Sequence, residues 1–326
     1  MPSGRLPGTG GRAMNGFVHE PVMLGEILDV FRDMTAGTFV DATLGGAGHA
    51  AAILAAHANV TLIGIDQDDT ALAAAAERLR ESGLGGRAGG QRARFESVGQ
   101  VVEGEGIDSV VGALFDLGVS SPQFDVAERG FSYRHDAPLD MRMDRSRGLS
   151  ADIVVNTYTA EQLATIIHDH ADERFADRIA RAIVAHRPVT GTAHLAEIVT
   201  NAIPAATRRG GHPAKRTFQA IRIEVNQELE ILPVALRAAI DLLAPGARLA
   251  VLSYHSGEDR IVKAVMRDAE TGGCTCPDGL PCGCGAVPTV KRVRVRREAD
   301  RAESERNPRA ASARLRVVEK LPGGGK

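Results

Sequence analysis

The stretch from Phe39 to His57 constrains this chain more than any other. A short apolar strand, Phe39-Val40-Asp41, runs into the glycine loop Thr43-Leu44-Gly45-Gly46-Ala47-Gly48-His49, and an alanine-rich helix follows across Ala50–His57. A strand that ends in a glycine turn and opens a helix is the first unit of an open α/β sheet. Two further strands end on carboxylates, Leu62-Ile63-Gly64-Ile65-Asp66 and Ala113-Leu114-Phe115-Asp116. Ligands in such sheets bind outside the carboxyl ends of the strands. Asp41, Asp66 and Asp116 are therefore expected around one pocket.

The charge of that pocket selects its ligand. Gly46-x-Gly48-x-x-Ala51 fits the dinucleotide fingerprint, and Asp66 lies 18 residues beyond Gly48, where a ribose-binding acid belongs. A nicotinamide enzyme is thus one reading. Asp41 opposes it, because it stands beside the place a pyrophosphate would take. Two like charges about 8 Å apart repel by about 2 kcal/mol at an effective dielectric of about 20, and Asp116 adds a second repulsion. S-adenosylmethionine carries a sulfonium, an ammonium and a ribose diol but no phosphate, and all three groups suit carboxylates. On this reading Gly45 and its neighbours let the backbone approach the methionine end, and Asp66 takes the ribose hydroxyls.

The chain has 326 residues, 44% of them apolar, and a net charge of −2. This length suggests about two domains. The longest apolar runs fall well short of the roughly 18 residues of a membrane span. Residues 1–16 are rich in Gly, Pro and Arg and read as a disordered extension without a secretory signal. The cytoplasm is the expected compartment. A near-neutral total charge leaves RNA binding to local patches: Arg142 to Arg147, Arg208-Arg209 with Lys215-Arg216, and Lys291 to Arg297.

Along the chain, strands are expected near 38–44, 60–66, 92–97 and 109–116, with a helix over 70–81 capped by Asp68-Asp69. From 125 to 212 no strand pattern appears, and helices are expected over 160–171, 173–186 and 194–203. The α/β rhythm then resumes: a long helix over 217–243 bent near Pro233, a strand over 248–254, a helix over 258–269 and a strand over 313–319. Residues 270–309 read as loop. The expected organisation is a sheet domain over 17–124 and 213–326, with a helical domain inserted at 125–212.

Asp116-Leu-Gly-Val-Ser-Ser-Pro-Gln123 leaves the fourth strand beside the first. Methyltransferases acting on amino groups carry a short acid/Ser-Pro-Pro-aromatic element there. An exocyclic amine has its lone pair delocalised into the base, so it needs acceptors for its N–H groups. Asp116 and the Ser120 or Ser121 hydroxyl are candidates. Phe124, Phe131 or Tyr133 are candidates for stacking on the base, with core packing the competing fate of the last two.

Several longer strings then point one way: Phe17-Val-His-Glu-Pro-Val-Met23, Asp41 to His49, Asp116 to Gln123, Glu128 to Tyr133, Pro138 to Asp144, Arg216 to Arg222 and Ser253-Tyr-His-Ser256. Together they resemble the RsmH (MraW) family over about 17–267 and again over 307–318. The resemblance implies a Rossmann-like class I methyltransferase sheet with an inserted all-helical domain. It further implies S-adenosylmethionine-dependent N4-methylation of a cytidine in the decoding region of 16S rRNA, cytosine 1402. The implied partner is 16S rRNA within the small ribosomal subunit, with no membrane, and a homodimer is left open.

Carried over by position, the family's cofactor contacts fall on Ala47, Gly48, His49, Asp66, Asp116 and Gln123, and a contact that is usually aromatic falls near Val98. Ala42 and Ala47 stand where relatives carry Gly, so Ala47 is expected to keep a negative φ. Asp116, Ser120 and His255 are the catalytic candidates, His255 also having a structural hydrogen bond as its commoner fate. Asp140, Arg142 and Asp144 are expected to order the first loop of the insert, and His170 and Asp172 to lie on the surface. The cysteines are spaced Cys274-x-Cys276-x5-Cys282-x-Cys284. Four thiolates could bind zinc tetrahedrally, but structural zinc sites prefer wider pairs and the resemblance requires no metal, so reducible thiols in a mobile loop are the expected reading and zinc the alternative.

Overall fold

The computed structural model describes residues 21–119, 126–208, 211–277 and 283–323. Seven strands form one sheet: β1 (Gly37–Asp41), β2 (Val60–Asp66), β3 (Ala88–Arg92), β4 (Val110–Asp116), β5 (Leu243–Ser253), β6 (Val290–Arg292) and β7 (Arg314–Lys320). Their order is β3-β2-β1-β4-β5-β7-β6. The first five run parallel, and β7 lies antiparallel to both β5 and β6. This is the Rossmann-like sheet expected from the sequence.

Alternate residues of each strand feed opposite faces. Val40, Ile63, Ala113, Phe115, Leu249 and Val251 join one apolar cluster. Phe39, Leu62, Leu114, Ala250 and Leu252 join the other. Burial on both sides explains the nearly continuous apolar runs of these strands. The first face is covered by α4 (Val98–Gly104), α10 (Glu228–Leu242) and α11 (Ser256–Thr271). The second is covered by α1 (Leu24–Val30), α2 (Gly48–Ala56) and α3 (Asp69–Glu81). Strand order reverses between β1 and β4, and ligand crevices open at the carboxyl ends of such a switch point.

The third strand is at 88–92 rather than 92–97, where Phe95–Ser97 forms a 3-10 turn. Its sequence, Ala-Gly-Gly-Gln-Arg, has no β-branched residue to announce it, and pairing of Leu62 through Asp66 with Ala88 through Arg92 defines it instead. Within 270–309, expected to be loop, β6 and α12 (Arg301–Arg306) are formed.

The described residues between β4 and β5 contain no strand. Helices α5 (Ala151–Thr157), α6 (Ala160–Ala171), α7 (Ala176–Ala185), α8 (Thr192–Ala202) and α9 (Lys215–Asn226) share a separate core running from Phe131 to Val225. The single long helix expected over 217–243 is two helices, broken at Gln227 (φ 55°) and not at Pro233, which lies inside α10. Phe218, Ile221 and Val225 of α9 pack in the helical core, whereas Leu232, Ala235 and Leu236 of α10 pack under the sheet. The chain thus changes layers at Gln227. Among the described residues no helix is long and apolar enough to cross a membrane, and the extension at 1–16 lies outside them.

Candidate cofactor and substrate cleft

A cleft of about 1660 Å³ lies over the switch point and reaches the helical core. Asp41, Asp66 and Asp116 all line it. The glycine loop is tied into the sheet by its own backbone: Leu44 N–H donates to Ile65 O at 2.8 Å, and Ala47 N–H to Leu44 O at 2.7 Å. Gly45 N–H donates to Asp66 Oδ2 at 2.9 Å and Asp68 N–H to Asp66 Oδ1 at 2.9 Å. Thr43 links the two central strands, donating its N–H to Asp41 Oδ1 at 3.1 Å and accepting from Asp116 N–H at 2.6 Å. A Cβ added at Gly46 would meet nothing within 4 Å, so the loop backbone faces open space.

The electrostatics of the cleft favour a cation. Burial pushes Asp41 up to about 7, and Asp116 and Asp66 push it the same way against the Thr43 hydrogen bond. Burial likewise lifts Asp66 to about 6, partly offset by the Asp68 and Gly45 N–H groups. Desolvated carboxylates near one another resist ionisation, and a positive ligand relieves that cost. A diphosphate would aggravate it.

At the mouth, Asp116 keeps 28% of its side chain exposed. Its Oδ1 accepts a 2.6 Å hydrogen bond from the Tyr254 hydroxyl, and its Oδ2 lies 3.5 Å from His49 Nδ1. Burial raises the Asp116 carboxyl above its ordinary value, while His49 and Tyr254 pull it back. His49 is itself anchored, its Nε2 lying 2.9 Å from Val22 O. Gly48 is needed for this approach, since a Cβ there would sit 2.6 Å from Pro21 Cγ.

Three expectations are corrected. Ala47 has φ 56°, in the left-handed region, with its methyl fully buried; the turn imposes a conformation that costs a non-glycine residue about 1 kcal/mol. Val98 is 1% exposed and packs in the core beneath the sheet. Phe95, three residues earlier in the 3-10 turn after β3, lines the cleft. His170 is half-buried and paired to Glu224 at 3.2 Å, although Asp172 is on the surface as expected. Ser120, Ser121, Gln123 and Phe124 lie outside the described residues.

His255 lines the cleft but also caps α11, its Nδ1 accepting from Glu258 N–H at 3.4 Å. Its Nε2 comes within 3.1 Å of Glu258 Oε1 without hydrogen-bond geometry. Burial pushes Glu258 up, but His255 and Arg222 outweigh it and hold the carboxyl below its ordinary value. Phe131 is buried in the helical core with an edge on the cleft, and Tyr133 stacks on His212 at 4.3 Å on the cleft wall. Asp140, Arg142 and Asp144 do order the insert's first loop: Arg142 Nε donates to Asp140 at 2.6 Å, and Asp144 pairs with Arg92 at 3.0 Å.

Tyr254, Thr43, Phe95 and the Arg222–Glu228 pair (2.9 and 2.8 Å) are cleft residues that the sequence reading did not select. Tyr254 had a usable signal, because it follows β5, the neighbour of β4. The basic patches separate by surroundings. Arg142 and Arg147 are consumed by internal bonds, while Lys215 lines the cleft.

The MraW methylase family model matches residues 16–321. The chain belongs to the MraW methylase family. A relative from Symbiobacterium thermophilum named ribosomal RNA small subunit methyltransferase H is 49% identical over 316 residues, covering 94% of this chain and 98% of the relative. A protein of the same name from Frankia alni is 49% identical over 312 residues, covering 93% and 95%. Among solved structures, a putative rRNA-methylase from Clostridium thermocellum aligns with a TM-score of 0.45 at 14% identity, over 92% of this chain and 98% of that one. The methyl donor of this methylase is S-adenosylmethionine, in keeping with a cleft walled by carboxylates.

Proposed function

We propose that the protein methylates N4 of a cytidine in the decoding region of 16S rRNA, cytosine 1402, and acts in the cytoplasm on the small ribosomal subunit. The observation that carries the reading is Asp116. Its carboxylate stands at the mouth, held by Tyr254 and His49, between the acid-walled cofactor pocket and the helical core. S-adenosylmethionine, when bound, supplies an electrophilic methyl carbon on a positively charged sulfur. Asp66 suits the ribose diol, because backbone N–H groups of Gly45 and Asp68 fix its two oxygens at the cleft wall. Asp41 suits the positive end, and Phe95 offers a face to the adenine.

On the substrate side, Tyr254 occupies Asp116 Oδ1, while Oδ2, with His49 Nδ1 3.5 Å away, keeps a lone pair to accept an N–H of the target amine. This orients the amine lone pair without a covalent enzyme–base adduct. Catalysis then comes mainly from positioning. The base must be unstacked to reach a buried acid, and Tyr133 on the cleft wall can stack on it. The helical domain, with Lys215 and Arg134 facing the cleft, grips the surrounding RNA through phosphates, so binding falls with salt.

The test is transfer of labelled methyl groups to small subunits, free 16S rRNA and duplex DNA, with mass mapping of the product nucleoside. N4-methylcytidine in rRNA supports the reading. Label on DNA, or on another ring position, overturns it. Asp116→Ala should fold and bind RNA yet transfer nothing, even at saturating cofactor, which separates an enzyme from a ribosome-assembly factor.

A further inference from the structure

Three cysteine sulfurs converge at the end of the sheet opposite the cleft. The Sγ atoms of Cys274, Cys276 and Cys284 lie within 4.8 Å of one another. The Sγ atoms of Cys274 and Cys284, ten residues apart in sequence, are separated by 3.6 Å. A disulfide would require about 2.05 Å. Thiolates around tetrahedral zinc, with bonds of about 2.3 Å, are separated by about 3.8 Å. We propose that Cys274, Cys276 and Cys284 bind one zinc ion through their thiolates.

The loop is built to bring these atoms together. Helix α11 ends on Gly272 (φ 63°) and Gly273 (φ 74°), which turn the chain back. A Cβ at Gly272 would lie 2.5 Å from the carbonyl of Val287, so the returning arm packs directly on the helix end. Thr289 N–H then donates to Ala269 O at 2.9 Å, fixing that arm before it enters β6. The backbone N–H groups of Gly283 and Cys284 hydrogen bond to the Cys276 sulfur. Such donors stabilise a thiolate and orient it toward a metal. The narrow Cys-x-Cys spacing that weighed against a metal matters less in this geometry, because the donors come from both arms of the loop. Soft thiolates select zinc over magnesium or calcium. Four-coordinate zinc takes one further donor, and Cys282 lies outside the described residues and is not counted.

The site is structural. Helix α11 has 16 residues, so the cysteines sit about 24 Å from its cleft-facing start. The metal would pin the end of α11 to β6, the edge strand paired with β7. On binding, each thiol exchanges its proton, released to solvent, for a bond to the metal.

The test uses the full chain purified with reductant and without chelator, followed by elemental analysis and cobalt(II) reconstitution. One zinc per chain is expected, with a tetrahedral thiolate spectrum for the cobalt form. Cys276→Ser and Cys274→Ser should each retain metal at least about tenfold more weakly in chelator competition. Cofactor binding should be unchanged in both. Chelator should lower the melting temperature of the wild type, with zinc restoring it, and leave Cys276→Ser unaffected. If the variants fail to fold, the cobalt spectrum and chelator response of the wild type decide. Far less than one zinc per chain, iron in its place, unaltered metal in both variants, or a Cys274–Cys284 disulfide under reductant would overturn the proposal.

Discussion

Replacing Asp41 with Asn should stabilise the cofactor-free protein, by an amount that grows with pH. The Asp41 carboxyl is 2% exposed, and burial, with Asp116 and Asp66, raises its pKa from 3.8 to about 7. A group whose folded pKa is raised keeps its proton longer in the fold than in the unfolded chain. Between about pH 4 and pH 7 the folded state therefore binds more protons, and stability falls as pH rises. Each pKa unit is worth about 1.36 kcal/mol, so the rise from 3.8 to about 7 costs about 4 kcal/mol in full by pH 8. Asn has nearly the same shape, keeps an Oδ1 for the Thr43 N–H and never ionises.

Urea unfolding of both proteins without cofactor, at intervals from pH 4 to pH 8, checks this. The difference should be near zero at pH 4 and approach about 4 kcal/mol in favour of Asn at pH 8. Cofactor binding should move the opposite way, because the variant has lost a negative charge from the wall of the cleft. A constant offset across the range, or a variant less stable at pH 8, would falsify the idea that a costly charge is stored in this wall.

Other outcomes follow from the same geometry. S-adenosylmethionine should bind more tightly as pH rises from about 5 to 8, since a cation draws protons off Asp66 and Asp41, whose pKa values are about 6 and about 7; calorimetry in buffers of different ionisation enthalpy should detect the protons released. Tyr254→Phe removes a charge-assisted hydrogen bond to Asp116, worth about 1.5–3 kcal/mol, and should lower kcat about 10- to 100-fold with cofactor affinity unchanged. Phe95→Ala should weaken cofactor binding, whereas Val98→Ala should cost about 1–3 kcal/mol of stability and leave affinity alone; calorimetry and unfolding on both variants distinguish the two. Arg129→Ala removes the guanidinium 2.8 Å from buried Asp68 and its bonds to the Arg142 and Met143 carbonyls, and should destabilise the fold by about 3–5 kcal/mol in urea unfolding.

Much of the sheet was legible because its strands are buried on both faces and announce themselves as apolar runs ending in Asp. β3 was misplaced because its glycines carry no such signal and only pairing with β2 defines it. The convergence of Asp41, Asp66 and Asp116 followed from a topological rule, without knowledge of any side-chain position. Phe95 and the Arg222–Glu228 pair were not legible as cleft residues, and Tyr254 was legible only through its place directly after β5. Their roles depend on which strands become neighbours and how a side chain turns, and neither is periodic in the chain. Val98 shows the converse error. Alignment by position placed a cofactor contact near it, yet Val98 is buried beneath the sheet, and Phe95, in the 3-10 turn three residues upstream, is the one that lines the cleft.

The break at Gln227 is what joins the two layers of the site. A continuous helix over 217–243 would carry Phe218 and Leu232 on one rod, yet they belong to different cores. The left-handed residue redirects the chain, and the groups beside it bind the two layers together. Asn226 accepts from Met143 N–H at 2.8 Å and donates to Met141 O at 2.8 Å, holding the insert's first loop. Gln227 accepts from Arg147 at 2.6 Å, and Arg222 reaches across the break to Glu228. Arg129 completes the contact by pairing with Asp68, the cap of α3, and donating to the carbonyls of Arg142 and Met143. These bonds are polar and largely buried, so their geometry is specific, and removing one partner strands another. The helical core is thereby held at a defined height above Asp116. On the proposed reading a base can reach the acid only if that height is kept, so these bonds, far from Asp116, would set the precision of the site.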